Sequence, residues 1–545
     1  MNQPLPDRDP KLPRTTRTAN LAHFLTRNAR RIPHRPAIVL AEVDGTETVF
    51  DWATLDARVS ALAAAMRDRF GLTAGRRLLV QSSNNNQITE TMLACWRLGA
   101  VWTPANYRQG PEEVAYLAQK ADVALMMCEG RFPEHARASV EAAPQLSEVL
   151  RVGPGEFGHD YEALIAEFMG ADVPNADVDR DDPCWLFFTS GSTGRPKAVV
   201  LTHGQLGFTT VNHLNDLMPG TTEADVSLVV APLSHGAGMH QLTQIAAGAV
   251  SVLLPSGRFD PSDAWRLVAA HGVTNMFTVP TIVKMLTEHP SVDLHDHSSL
   301  RFVIYAGAPM YREDQKFALR KLGKVLVQYF GLGEVTGAIT VLRPSDHHLS
   351  DGPETRVGTC GIERTGLHVS IQDANGAMMP PGGTGEICVA GGAVCAGYYR
   401  DDVANGKAFR DGWFLTGDLG HLDAQGYLFI TGRASDMYIS GGSNVYPREI
   451  EELILTLPGV SEVAILGMPD RKWGEVGLAV VVTAPGAVVE EADIAALVAS
   501  KLAKYKLPAR YVFLDEMPKT GYGKITKKLV REELQARGLW PEAIA

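Results

Sequence analysis

Short apolar runs that stop at glycine or proline and give way to a helical pattern recur along this chain, and that alternation restricts the fold more than any other feature. Residues 273–280 read as a strand ahead of a helix that begins near Thr281, and residues 300–305 as another strand ahead of Ala306, Gly307 and Ala308. Strands alternating with helices predict an α/β arrangement with a parallel sheet. In such sheets the loops at the carboxyl ends of the strands build the ligand site, so the glycine-rich stretches after these strands are where chemistry is expected. A chain of 545 residues also exceeds what one core can hold, and about three or four structural units are expected.

The pattern changes towards the C-terminus. Ile450, Leu453, Ile454 and Leu457 fall on one helical stripe, strands follow around 463–466 and 478–482, then a helix over 494–505 and a strand near 511–514. These roughly 110 residues suffice for a separate α+β unit. The expected division is a large N-terminal part, residues 1–433, built of α/β subdomains plus a β region whose turns include residues 378–392, and a small α+β part, residues 434–545.

Composition excludes several classes. No stretch approaches the roughly 20 apolar residues of a membrane helix, and residues 1–20 lack the apolar segment of a secretory leader. A water-soluble, cytoplasmic protein is expected. The six cysteines are scattered without a CxxC pair, which suggests buried small hydrophobes, with no disulfide framework or thiolate metal site. A formal net charge of −11 argues against a broad nucleic-acid or anionic-membrane footprint, which needs clustered Lys and Arg. Anionic small ligands must then be bound locally.

The stretch Thr189, Ser190, Gly191, Ser192, Thr193, Gly194, Arg195, Pro196, Lys197 lies between two apolar runs and has the composition of a phosphate loop. Its glycines let backbone N–H groups turn towards an anion, its hydroxyls add donors, and Lys197 adds a cation. It is not a Walker loop, because GxxxxGK[ST] is absent and a strand is expected to follow. A Ser/Gly hairpin turn is the bland alternative. Further on stand Tyr329-Phe330-Gly331-Leu332-Gly333-Glu334, Thr416-Gly417-Asp418, Gly432-Arg433, Ser440-Gly441-Gly442 and Pro518-Lys519-Thr520-Gly521-Tyr522-Gly523-Lys524. Alone, each of these would pass as a turn or strand end.

Together and in this order they resemble the adenylate-forming superfamily, in its AMP-forming acyl-CoA synthetase branch, over nearly the whole chain. The resemblance implies ATP, Mg²⁺ and coenzyme A as cofactors. It places the phosphates on Thr189 to Gly194 and Lys197, adenine on Phe330 within Tyr329, Phe330 and Gly331, and Mg²⁺ on Glu334. Asp418 then accepts from both ribose hydroxyls, Arg433 reaches ribose or phosphate, and Gly307 and Ala308 border the site. Ser440, Gly441 and Gly442 resemble the loop that enters the CoA tunnel after a rotation of the small domain about a hinge at Ser435. Lys524 corresponds to the catalytic lysine, with Lys519, Lys527 and Lys528 read as solvated neighbours. Two departures are Gly333 where the family has Thr, whose hydroxyl Thr336 or water could replace, and Ala198 where it has Gly.

His235 matches the histidine at the family's acyl pocket, and Ala237, Met239, Thr278, Val279, Tyr305, Ala306, Gly307 and Ala308 are read as wall positions. Small residues at Ala237 and Ala306 favour a roomy pocket for a medium-chain or aromatic monocarboxylic acid. The expected catalytic set is Lys524, Glu334 and His235. The expected partners are the acid, ATP and CoA, with a homodimer and a lysine acetyltransferase acting on Lys524 as further expectations, and neither nucleic acid nor membrane. Two other readings stay open: an adenylating enzyme that delivers to a carrier protein, and a non-catalytic nucleotide-binding protein.

Overall fold

The structure is a computed structural model and describes residues 16–189, 195–255, 259–308, 310–352, 355–433, 436–440, 443–519 and 525–540. Six strands run parallel through one half of its largest sheet, in the order Pro36–Ala41, Val250–Leu253, Val226–Val229, Asn275–Thr278, Phe302–Tyr305, Leu326–Phe330. Helices cover both faces, and the two strand faces feed different cores. Phe277, Ile304 and Tyr329 join the core containing helix Gly236–Ala247, whereas Met276, Val303 and Tyr305 join the one under helices Pro261–His271 and Arg312–Leu322. That segregation is the two-residue period of a strand buried on both sides. Beyond Leu326–Phe330 the sheet continues with antiparallel strands to Trp413–Leu422 and Tyr427–Arg433, which is the expected β region.

A seven-stranded sheet has Arg77–Gln81 parallel to Val101–Pro104 and Leu125–Glu129, and is closed on one edge by the antiparallel hairpin Pro183–Thr189 and Lys197–Thr202. Towards the C-terminus a five-stranded sheet forms around the hairpin Val460–Asp470 and Gly474–Thr483. Both hairpin strands are longer than the sequence pattern indicates. Helices Pro447–Ile454 and Glu491–Lys501 cover one face through Ile450, Ile454, Ile494 and Val498, and helix Lys527–Ala536 covers the other through Val530 and Leu534. The predicted stripe is thus present: Ile450 and Ile454 are buried, with Leu453 and Leu457 packed beside them. The helix expected over 494–505 ends at Lys501, and Lys504–Lys506 forms a separate 3₁₀ turn.

All six cysteines are buried and unpaired. No helix among the described residues is long and apolar enough to cross a membrane.

Candidate active site

The apolar hairpin Pro183–Thr189 and Lys197–Thr202 brings the two ends of the serine- and glycine-rich stretch face to face, with Thr189 opposite Lys197 in the register. Ser190, Gly191, Ser192, Thr193 and Gly194 lie outside the described residues. A strand does follow the loop, as expected. On its outer edge, residues 396–399 pair with it through Val200 N–H to Gly397 O, Ala396 N–H to Val200 O and Tyr399 N–H to Ala198 O. This pairing carries Tyr398 into the site, with its ring 4.9 Å from the Lys197 ammonium. The Ala198 methyl is fully buried in the strand.

Glu334 enters from the end of strand Leu326–Phe330, on the short 3₁₀ turn Gly333–Val335. It is 8% exposed, and its Oε1 accepts from Thr189 Oγ1 at 3.0 Å and from the Tyr398 hydroxyl at 3.0 Å. Burial, and then the adjacent Glu334 charge, raise the Tyr398 phenol well above its usual value, so it stays a donor. The Cys395 N–H donates to the Glu334 carbonyl at 2.7 Å, fixing the turn. Both bonds fall on Oε1, and Oε2 of Glu334 accepts from no donor among the described residues. Such a carboxylate suits a hard cation that takes most of its other ligands from phosphate and water. No group of three or more His, Cys, Asp or Glu side chains among the described residues could form a metal cage by itself. Tyr398 was not legible as a site residue, because it arrives through a strand pairing and not through a motif.

Gly333 has a steric cause. A Cβ there would lie 2.5 Å from Phe187 Cε1 and 2.9 Å from Thr189 Cγ2. Thr336 does not take over a missing hydroxyl, because its Oγ1 bonds Thr209 Oγ1 at 2.7 Å and donates to the Val335 carbonyl at 2.7 Å.

Asp418 and Arg433 are cross-strand partners, with Arg433 Nε 3.1 Å from Asp418 Oδ1. The Thr416 hydroxyl accepts from Asp418 N–H at 3.0 Å and donates to the Ile387 carbonyl at 2.8 Å, holding the turn through Gly417. Asp418 is 5% exposed, and its burial pushes the carboxyl above the usual carboxylate value in spite of Arg433. An acceptor-only carboxylate beside a half-exposed guanidinium is suited to polyhydroxylated or anionic ligands. Phe330 and Gly331 are half-buried at the same strand end as Glu334, and Gly307 and Ala308 are exposed just past Phe302–Tyr305.

His235 precedes helix Gly236–Ala247, its Nδ1 3.0 Å from Ser234 Oγ and its ring edge-on to Phe187 at 5.1 Å. Asn84, unremarked in the sequence, clamps the approach: its Nδ2 donates to the Ala231 carbonyl and its Oδ1 accepts from Leu233 N–H, both at 2.9 Å. Of the wall positions read from sequence, Ala237, Met239 and Ala306 share the core on His235's side of the sheet. Tyr305 does not. It faces the opposite side, where its hydroxyl bonds His347 Nε2 at 3.0 Å and Gln315 at 2.9 Å. Thr278 sits opposite Tyr305 in the register, and the inward positions on these strands are Phe277 and Ile304. Tyr329 likewise turns away from Phe330, against Phe277.

Gly441, Gly442, Ser435 and Lys524 lie outside the described residues. Ser440 is buried at 3% exposure and pairs with Ser443 and Gly474. Two of the lysines read as solvated are tied down: Lys519 pairs with Glu462 at 2.6 Å, and Lys527 with Glu451 on helix Pro447–Ile454. Lys528 is the exposed one.

With this geometry in view, comparison with known proteins is specific. The family model described as AMP-binding enzyme matches residues 25–399, and that of the AMP-binding enzyme C-terminal domain matches residues 449–524. A feruloyl-CoA synthase of Amycolatopsis sp is 35% identical over 94% of this chain and 99% of its own. An indoleacetate–CoA ligase of Aromatoleum aromaticum is 33% identical over 94% and 98%. Among solved structures, ATP-bound MatB from Rhodopseudomonas palustris superposes with a TM-score of 0.82 at 29% identity, covering 94% of this chain and 99% of that one. The chain therefore belongs to the AMP-binding enzyme family of the adenylate-forming superfamily, as an AMP-forming acyl-CoA synthetase.

Proposed function

We propose that this enzyme joins a monocarboxylic acid, aromatic or medium-chain, to coenzyme A through an acyl-adenylate, with residues 1–433 forming the adenylation part and residues 434–545 a mobile lid. The observation that carries the reading is the buried Glu334 carboxylate, which accepts from Thr189 and Tyr398, with the Lys197 ammonium over the Tyr398 ring, so that three separate segments meet at one place. Names of relatives that act on aromatic acids, a feruloyl-CoA synthase and an indoleacetate–CoA ligase, support the aromatic arm. A medium/long-chain-fatty-acid–CoA ligase of Mycobacterium tuberculosis at 33% identity supports the other.

A free carboxylate is a poor electrophile, so the acid's oxygen must first displace pyrophosphate at the α-phosphorus of ATP. In our reading Lys197 and the residues 189–194 hold the phosphates, Asp418 and Arg433 hold the ribose, and Phe330 lies on adenine. Glu334, fixed at Oε1 by Thr189 and Tyr398, would hold Mg²⁺, which would neutralise phosphate charge. Lys524 would bridge the reacting carboxylate and phosphate, and Ser440 to Gly442 would then line the route of the CoA thiol. The protein's contribution is chiefly position and charge.

The test is to incubate the purified protein with ATP, Mg²⁺, CoA and a panel of acids, measuring AMP and acyl-CoA together. Matched amounts support the reading. AMP or acyl-adenylate without thioester would overturn it in favour of delivery to a carrier protein, an activity borne in name by a fatty acid–[acyl-carrier-protein] ligase of Streptomyces coeruleorubidus that is 31% identical.

A further inference from the structure

Tyr398 meets two charged side chains with two different parts of itself. Its hydroxyl donates to Glu334 Oε1 at 3.0 Å, and the Lys197 ammonium stands over its ring, 4.9 Å from the centroid. Glu334 belongs to the turn Gly333–Val335 and Lys197 opens strand Lys197–Thr202, so this one side chain links two separate segments.

The tyrosine is itself clipped in place through its backbone. Its N–H donates to Asn405 Oδ1 at 2.7 Å and its carbonyl accepts from Asn405 Nδ2 at 3.0 Å, which ties it to helix Asp402–Ala408, while Val199 is its cross-strand partner on the other side. The preceding Gly397 has a φ of +114°, and a Cβ there would lie 2.8 Å from Asn405 Oδ1, so the clip requires a glycine. At 8% exposure the ring is packed as firmly as its backbone is bonded. A lysine side chain has many rotamers to lose, and an ammonium that rests on a fixed ring has fewer of them to search. The Glu334 carboxylate, accepting on Oε1 from the Tyr398 hydroxyl and from Thr189, is restricted in the same way.

We propose that Tyr398 is a positioning residue with two separable functions: its ring aims the Lys197 ammonium at the phosphates of the nucleotide, and its hydroxyl aims the Glu334 carboxylate at the divalent cation those phosphates carry. It rests on the reading of this site as the one for ATP and Mg²⁺, and it adds to that reading a residue that acts on both through others.

The experiment uses the full chain and reads binding, so no acid has to be turned over. Calorimetry gives the Kd of an ATP analogue with a methylene bridge between the α- and β-phosphates, once in EDTA and once in saturating Mg²⁺. Tyr398→Phe keeps the ring and loses the hydroxyl. Its affinity in EDTA is expected to match the wild type, while the gain in affinity on adding Mg²⁺ falls by about 10-fold or more, the order of one hydrogen bond to a charged group. Tyr398→Leu loses both parts, and its affinity in EDTA falls as well, by about 3- to 30-fold, the order of a cation–π contact. That second loss disappears when Lys197→Met is already present, because the ring then has no cation to aim. A merely structural tyrosine would lower both affinities together in Tyr398→Phe, or neither. Either result overturns the proposal, and Tyr398→Phe decides it alone if Tyr398→Leu does not fold. Wild-type protein that binds the analogue equally with and without Mg²⁺, or not at all, would overturn the ATP and Mg²⁺ reading and the proposal with it. The expected pattern in a protein that converts no acid to a thioester supports the proposal and counts against the ligase reading only.

Discussion

The proposed nucleotide side and the proposed acyl side of this site are built on opposite principles. On the first, polar groups from separate segments are tied to one another: Thr189 and Tyr398 on Glu334, Arg433 on Asp418. On the acyl side a histidine stands among rings, with Phe187 at its edge and Phe277 and Tyr329 behind it, and its surroundings are defined by volume. Hydrogen bonding requires particular atoms at particular places, so one half is fixed in chemistry and free to serve any acid. Packing requires only shape, so the other half is defined by which side chains fill it. Phe187 belongs to both halves, since it touches His235 and also excludes a side chain at Gly333.

The sharpest way to break this division is Glu334→Gln. Glutamine still accepts from Thr189 and Tyr398 but loses the charge, and AMP formation is expected to fall by about 10²- to 10³-fold. The loss should be the same for every acid the enzyme uses. Initial rates with two unlike acids check this, and a loss confined to one acid would show that the halves are not separable.

Gly333→Thr probes the residue they share. Its Cβ would fall 2.5 Å from the Phe187 ring, and overpacking of this kind costs about 1–3 kcal/mol. A lower midpoint in denaturant unfolding is expected, largely restored by adding Phe187→Ala. A neutral single variant would mean that Phe187 does not dictate the glycine.

A test confined to the acyl-side helix concerns pH, and per pH unit its effect is the smallest. His240 lies in helix Gly236–Ala247 beside Phe277, where its Nε2 contacts Asn275 Oδ1 at 2.8 Å and Ser227 Oγ at 3.1 Å. Burial lowers its pKa from 6.5 to about 4, against the opposing hydrogen bond to Asn275. The unfolded chain then binds more protons than the native one between those values, so stability from this group is present above pH 6.5 and is lost as pH falls towards 4. The expected contribution is about 1 kcal/mol per pH unit. His240→Gln should flatten the acid limb of stability against pH by that amount, and an unchanged limb would place the acid sensitivity elsewhere.

The fold was largely legible. Apolar runs ending at glycine or proline located Asn275–Thr278 and Phe302–Tyr305, and the stripe of Ile450 and Ile454 located a helix against its sheet. Glu334, Asp418 and Arg433 were legible because motifs bind charge and turn geometry into a few adjacent positions. Tyr398 was not, because a strand pairing delivers it to Glu334. Asn84 was not, because its two hydrogen bonds reach across about 150 residues to Ala231 and Leu233.

The sequence by itself determined the element types and the family, and it singled out the polar residues of the candidate site, since each depends on local periodicity or on residues close together in the chain. Only the tertiary structure decided which strand residues face His235, turning Tyr305 outward and Phe277 and Tyr329 inward. The physical reason is that strands buried on both faces are apolar throughout. Their alternation fixes that neighbours point opposite ways, but not which of them points at the site until a helix covers one face.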